Sequence, residues 1–192
     1  TQPYFLAIAT GEKRDRIAAR YLALFDESLG VQHNSKLAKL KMFLTRKAMP
    51  NGDYNTTAPY PESLQPYRRA TGFGLYAALG IDRKDRLARD EHMRRNFNFF
   101  GAPTVVFLFV HSGLMPFAAQ DGGILLQSIM LSAHANGIGT CAQGALATWR
   151  SPLVGEFEIP EGYKFITGLA MGYAQDSQIN TFNPGRRDIE RA

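Results

Sequence analysis

The chain of 192 residues has one cysteine, Cys141, and one tryptophan. A single thiol excludes an internal disulfide and any Cys-x-x-Cys zinc or redox site. Apolar runs are short, well below the stretch that a membrane-crossing helix needs. No signal-peptide pattern opens the chain. There is no internal repeat and no low-complexity linker. The four histidines (His33, His92, His111 and His134) are scattered and form no ligand motif, so no metal is expected. Zinc-finger spacing and the aromatic signature of an RNA-binding sheet are both missing. These absences argue against nucleic-acid and membrane partners, and a cytoplasmic location fits them.

What remains is ordinary for a soluble globular protein: 45% apolar and 20% charged residues. The length predicts one domain, 1–192, with a core large enough to sustain itself. The net charge is +5, from 22 basic and 17 acidic residues. A basic balance favours phosphate groups. Most of these charges alternate in sign, however, as in "IDRKDRLARDEHMRR" (Ile81 to Arg95), which is the pattern of a solvated helix face. The chain opens on "TQPYFLAIAT", with no initiator methionine and no lead-in to a strand, and reads as N-terminally incomplete.

Periodicity places three buried strands, Tyr4–Thr10, Thr104–Val110 and Lys164–Tyr173, with helices between them. Glu12–Phe25 is amphipathic, with Ile17, Tyr21, Leu22 and Phe25 on one face. Ser35–Lys47 and Leu64–Leu79 are further helices. Asp82 is placed to N-cap another, with Asp85 three residues on. Asn51–Pro66 is rich in Pro, Asn, Gly and Thr and reads as a long loop of the kind used for binding or as a lid. Gln120–Ala135 is apolar nearly all round, which predicts burial inside the domain or in a subunit interface. Helices filling long gaps between strands give an α+β (mixed α/β) fold, neither a sandwich nor a bundle.

The run "ANGIGTCAQGALATW" (Ala135 to Trp149) has three glycines and the cysteine within eight residues. A dinucleotide-binding turn requires Gly-x-Gly-x-x-Gly after a strand and before a helix. Here the spacing differs and the order is reversed, since a helix comes first. A phosphate loop is excluded because Ala145 and Leu146 follow Gly144. A nucleophilic cysteine needs a basic partner and a lowered pKa, and nothing nearby supplies them, so Cys141 reads as a small buried apolar residue. Gly137 fits the left-handed position after a helix. "IGTCA" then reads as a short strand, and Gln143–Gly144 as a turn. Helix termination accounts for Gly137 but not for the bare "AQGA" turn.

Four segments in order answer that. "QDGGILLQSIMLSAHANGIGTCAQGAL", "IPEGYKFITGLAMGY" and "NTFNPGRRDIE", after the opening "TQPY", resemble the FMN-dependent nitroreductase family. "PYPESLQPYRRATGFGLYAALGI" and "NFNFFGAP" resemble its nitrobenzoate-reductase-like branch. The resemblance covers the whole chain from Thr1. The family's first helix, whose Arg-Arg-Ser-type motif grips the FMN phosphate, has no counterpart here, nor does the Pro-Ser-x-x-Asn that precedes "TQPY".

The resemblance implies a three-layer fold with a central mixed sheet flanked by helices. It also implies an FMN-dependent NAD(P)H oxidoreductase, a nitroreductase, working by ping-pong hydride transfer. NADPH or NADH is the donor and a nitroaromatic or quinone-like small molecule the oxidant. The alternative is a member that binds flavin or a ligand without turnover. Catalysis then needs no protein nucleophile, because the cofactor carries the chemistry. Gly144 lets the backbone lie close to the flavin ring, with a main-chain N–H of Gln143, Gly144 or Ala145 towards it. The Gln143 side chain either touches the ring or points to solvent. Gln2 contacts the flavin or packs beside it, and Arg186 or Arg187 meets the phosphate, a role that suits guanidinium forks. Tyr54, Tyr60, Phe99 and Phe100 are candidates for the substrate-pocket wall. The family's intertwined homodimer would take the helix Gln120–Ala135 at its interface and the tail 175–192 across to the partner subunit.

Overall fold

A computed structural model describes residues 1–33, 36–45 and 48–185. Its four strands, β1 (Tyr4–Thr10), β2 (Thr104–His111), β3 (Gly139–Gln143) and β4 (Tyr163–Gly172), form one sheet in the order β1-β2-β4-β3. Five α-helices accompany them among the described residues: α1 (Gly11–Gln32), α2 (Lys36–Thr45), α3 (Gln65–Ala78), α4 (Arg86–Arg94) and α5 (Phe117–Ala135). The strands expected from periodicity are therefore present, as is the short strand through Cys141. The ends of the helix expected over Ser35–Lys47 lie outside the described residues.

The fold class is helix and sheet, as expected, but all three described strand pairings are antiparallel rather than mixed. The reason lies in the connection through α5. That helix carries the chain back along the sheet, so β2 and β3 run the same way. β4 then inserts between them, antiparallel to both, and no parallel ladder forms.

The chain divides into two compact units. The first, Thr1–Thr57 with Met93–Ala174, contains the whole sheet, α1, α2 and α5. One sheet face carries Ala7, Ala9, Val105, Phe107, Phe109 and Phe165, all buried. Onto it α1 lays Ile17, Tyr21 and Phe25, three of the four positions read as one helix face. Each such side chain contributes about 1.5–3 kcal/mol by leaving water. Phe97 stacks on Phe25 at 4.8 Å between ring centroids and meets Trp149 at 5.3 Å, which joins the Arg95–Gly101 segment to this core.

The opposite face carries Val106, Leu108 and Val110, and α5 covers it. A Cβ on Gly122 would stand 2.9 Å from Val110 Cγ1, so the missing side chain lets the helix approach β2. Two expectations change here. β1 is half-buried rather than buried, because it is an edge strand with Ile8 turned outward. α5 is not enclosed within the domain: Phe117, Ile124 and Leu131 are 71%, 59% and 60% exposed. They recur every seven residues and so share one face of the helix.

The second unit, Ala58–His92 with the tail from Gln175, contains α3 and most of α4. No residue of α3 is fully buried. Gly74 packs under the ring of Phe182, and Arg83 lies 4.5 Å over Phe73. The N-cap of α4 is Asp85, whose Oδ1 accepts from Ala88 N at 2.9 Å. Asp82, expected in that role, accepts instead from Lys84 N within the preceding turn.

Candidate functional site

α5 ends at Ala135, and Gly137 takes the left-handed conformation expected of it, at φ 71°. Its N–H donates to His134 O at 3.0 Å, and Ile138 N donates to Ala133 O at 2.9 Å. The chain is thereby turned into β3 at the sheet edge. Cys141 lies exposed on this strand, not buried as expected, because β3 is an edge strand pairing on one side only. Partial desolvation raises its thiol pKa above the ordinary value, the opposite of what a thiolate nucleophile requires.

At the end of β3 the chain is gripped on both sides of an open point. Gln143 is 2% exposed, and its Nε2 donates to Asn96 O at 2.8 Å. Leu146 is fully buried against Gly168, where any side chain on the glycine would collide with it. Between these anchors Gly144 is exposed, and a Cβ built there meets nothing within 4 Å. Ala145 is half-buried beside it. The result is a short stretch of main chain anchored on both sides, with open space at Gly144 that a flat group could enter. Of the two expected orientations of the Gln143 side chain, the one to solvent is not taken. The side chain turns inward, because its amide finds a carbonyl in the Arg95–Gly101 segment.

The other candidates fall in several places. Gln2 is exposed, with φ 55°, just before β1. The register Ala7–Phe107–Gly168–Gln143 puts it at the same end of the sheet as Gly144 but on the opposite edge. Three strand spacings, about 14 Å, separate those edges, so Gln2 and Gly144 are not brought together. Arg186 and Arg187 lie outside the described residues.

Phe99 corrects a prediction: it is fully buried in the core and cannot wall a pocket. Phe97 and Phe99 both turn into the core, and the Phe99 ring lies 6.0 Å from Phe107. Phe100 is half-buried, with Arg95 5.9 Å over its ring. Tyr60 belongs to the second unit, exposed beneath Arg68.

Tyr54 lines a cavity of about 250 Å³ together with Gly52, Asp53, Asn55, Thr56 and Thr148. Its hydroxyl oxygen is buried without a hydrogen-bond partner. Desolvation, and then the negative charge of Asp53, raise its pKa. The first half of the long loop is not a free lid. Asn51 N and Gly52 N donate to Thr148 O at 3.1 and 3.0 Å, and Asn51 Oδ1 accepts from Arg150 N at 2.7 Å.

Residue patterns gave no sign of the network beneath this loop. Asp53 accepts from Phe165 N at 2.7 Å and pairs with Arg150 at 3.3 Å and Lys164 at 3.7 Å. Its partners lie about a hundred residues away in sequence, a separation no local pattern reveals. Arg14 was equally silent, although it holds Asn98 O and Ala102 O. Only the strained φ values between those two carbonyls, visible in three dimensions, give it meaning.

The model of the Nitroreductase family matches residues 1–173. The chain is 28% identical over 181 residues to a 4-nitrobenzoate reductase of Pseudomonas putida, covering 92% of this chain and 69% of that protein. It is 30% identical over 177 residues to nitroreductase NfnB of Mycolicibacterium smegmatis, covering 92% and 67%. The crystal structure of the FMN-dependent nitroreductase NfnB from Mycobacterium smegmatis, in complex with NADPH, superposes with a TM-score of 0.75 at 28% identity. That alignment covers 98% of this chain and 76% of the other. The family match spans the whole sheet and most of the chain, and it leads to one conclusion: this chain belongs to the nitroreductase family.

Proposed function

We propose that the chain is an FMN-dependent NAD(P)H oxidoreductase that reduces nitroaromatic or quinone-like acceptors in two alternating half-reactions. The observation that carries this reading is Gly144: bare, exposed and held between two buried anchors. The residues on the ring side fit a flavin. Open space faces the one position where a side chain would obstruct it, and donors fixed in advance on rigid backbone are what a ring of changing charge needs. The residues around Gly144 would hold FMN, which would supply the hydride chemistry between a reduced nicotinamide and the oxidant.

The protein's part is to bind, orient and exclude water. The backbone of Gln143, Gly144 and Ala145 faces the ring, and Arg186 or Arg187 takes the phosphate. Tyr54, whose buried hydroxyl has no protein partner, and Phe100 border the acceptor's space. Gln2 serves the flavin from the other sheet edge, which a second copy of the chain brings within reach. A homodimer also covers the exposed Phe117, Ile124 and Leu131 face of α5, as an isologous contact through a single helix would. Among the described residues no helix is long and apolar enough to cross a membrane. The cytoplasm, where reduced nicotinamide cofactors are replenished, is the compartment this reading implies.

The test is the visible spectrum of the chain after loading with FMN. Yellow colour that bleaches with NADPH and returns with a nitroaromatic or a quinone is the expected result. Colour that never bleaches points to a binding protein without turnover. A chain that takes up no FMN overturns the reading.

A further inference from the structure

The segment Arg95–Gly101 contains three consecutive residues in the left-handed region: Phe99 at φ 60°, Phe100 at φ 53° and Gly101 at φ 79°. Residues with side chains avoid that region, and where they visit it they do so singly. Two phenylalanines in succession therefore persist only because the surroundings over-determine them, and such strain gathers at functional sites.

The restraints are identifiable. Arg14 Nη2 donates to Asn98 O at 2.6 Å and its Nε donates to Ala102 O at 3.1 Å, so one guanidinium closes both ends of the turn. The same group lies 5.3 Å over the Phe99 ring. Asn98 Oδ1 accepts from Gly101 N at 2.8 Å, and Ala102 N donates to Phe99 O at 3.0 Å. Phe99 is fully buried beneath.

One side chain joins this strained turn to the platform at Gly144. Gln143 Nε2 donates to Asn96 O, at the start of the same segment. Its Oε1 is buried with no partner. An unpaired buried acceptor is unfavourable, and an apolar side chain of equal size would avoid it. The single bond to Asn96 is what the carboxamide provides in return.

We propose that Gln143 is a positioning residue. Its side chain locks the backbone of Gln143, Gly144 and Ala145 to the left-handed turn Phe99–Gly101 that Arg14 clamps, so that the platform and Phe100 move as one body. This rests on the flavin reading above and deepens it: one buried hydrogen bond couples the ring platform to the Arg95–Gly101 segment, which carries Phe100.

The test is Gln143→Met, which keeps length and volume but removes the donor. Amide hydrogen exchange is followed at Gly144, Ala145 and Phe99–Gly101, with and without FMN. The flavin absorption maximum, reduction potential, kcat and KM are measured alongside. In the expected outcome the variant still melts cooperatively, and exchange at both segments accelerates together. Absorption and potential shift, and kcat falls about ten- to a hundredfold, as misplacement by a fraction of an ångström to an ångström does.

A lower melting temperature with unchanged exchange at Gly144, unchanged potential and unchanged kcat overturns the proposal, since a merely structural residue would behave so. If Gln143→Met does not fold, Gln143→Leu, also apolar and without a donor, is used under the same criteria. A wild-type chain that takes up no FMN overturns the flavin reading, and with it any role of Gln143 towards flavin. The exchange measurement without FMN then decides the coupling alone.

Discussion

The hydroxyl of Tyr21, on α1, reaches the carbonyl of Trp149 at 3.1 Å and that of Leu146 at 3.2 Å, from a ring with no exposed surface. The helix that seals one face of the sheet is thus bonded to both ends of the segment that follows Gly144.

Tyr21→Phe removes the one buried hydroxyl hydrogen that Trp149 O and Leu146 O share, although Leu146 O keeps the Trp149 N–H, and is expected to lower stability by about 1–2 kcal/mol in urea unfolding. Burial raises the Tyr21 pKa well above its ordinary value, against a smaller opposing effect of the Arg150 charge. In the unfolded chain the phenol titrates near pH 10. Above that pH the unfolded state loses a proton that the folded state keeps, so stability falls as pH rises. Below it the contribution is intact. The difference between wild type and Tyr21→Phe is therefore flat from pH 7 to pH 9 and begins to shrink near pH 10. A constant difference through pH 11 would show that the hydroxyl titrates normally.

Gly144→Val separates folding from binding. Its side chain enters open space, so unfolding stability changes by no more than about 0.5 kcal/mol. The same methyl groups occupy the volume assigned to a flavin ring. Overpacking of about 1–3 kcal/mol weakens FMN retention about ten- to a hundredfold, read by equilibrium dialysis. Undiminished retention would remove Gly144 from the site.

Asp53 lies between Arg150, Lys164 and the N–H of Phe165. Asp53→Ala leaves a largely buried guanidinium without its counter-charge and costs about 3 kcal/mol. Asp53→Asn retains an acceptor for Phe165 N and costs less. Thermal unfolding of the pair measures the difference, and equal losses would mean that the charge carries the whole contribution and the acceptor for Phe165 N none of it.

Ile124→Glu places a charge in the exposed apolar face of α5, between Phe117 and Leu131. The wild-type chain is expected to run as a dimer in size-exclusion chromatography with light scattering, and the variant as a monomer. A monomeric wild type would refute the proposed assembly.

How much of this was legible beforehand depended on distance along the chain. β1, α1 and the ending of α5 at Gly137 were readable because their causes are local: alternation, helical spacing and a left-handed glycine. The N-cap of α4 slipped from Asp82 to Asp85, since both side chains can bond the backbone two or three residues on and only the fold chooses. Phe99 was misplaced for another reason. An aromatic beside a strand carries the same signal whether its ring enters the core or a pocket.

The sequence by itself determined the family, through motifs in order. It also determined the helix-and-sheet class. Tertiary structure alone decided that β4 separates β2 from β3. It also turned Gln143 inward to Asn96, left an apolar face of α5 uncovered, and allowed Arg14 to hold two phenylalanines in a left-handed turn. Each of these depends on contacts between residues tens to more than a hundred positions apart, and such contacts exist only once the chain has folded.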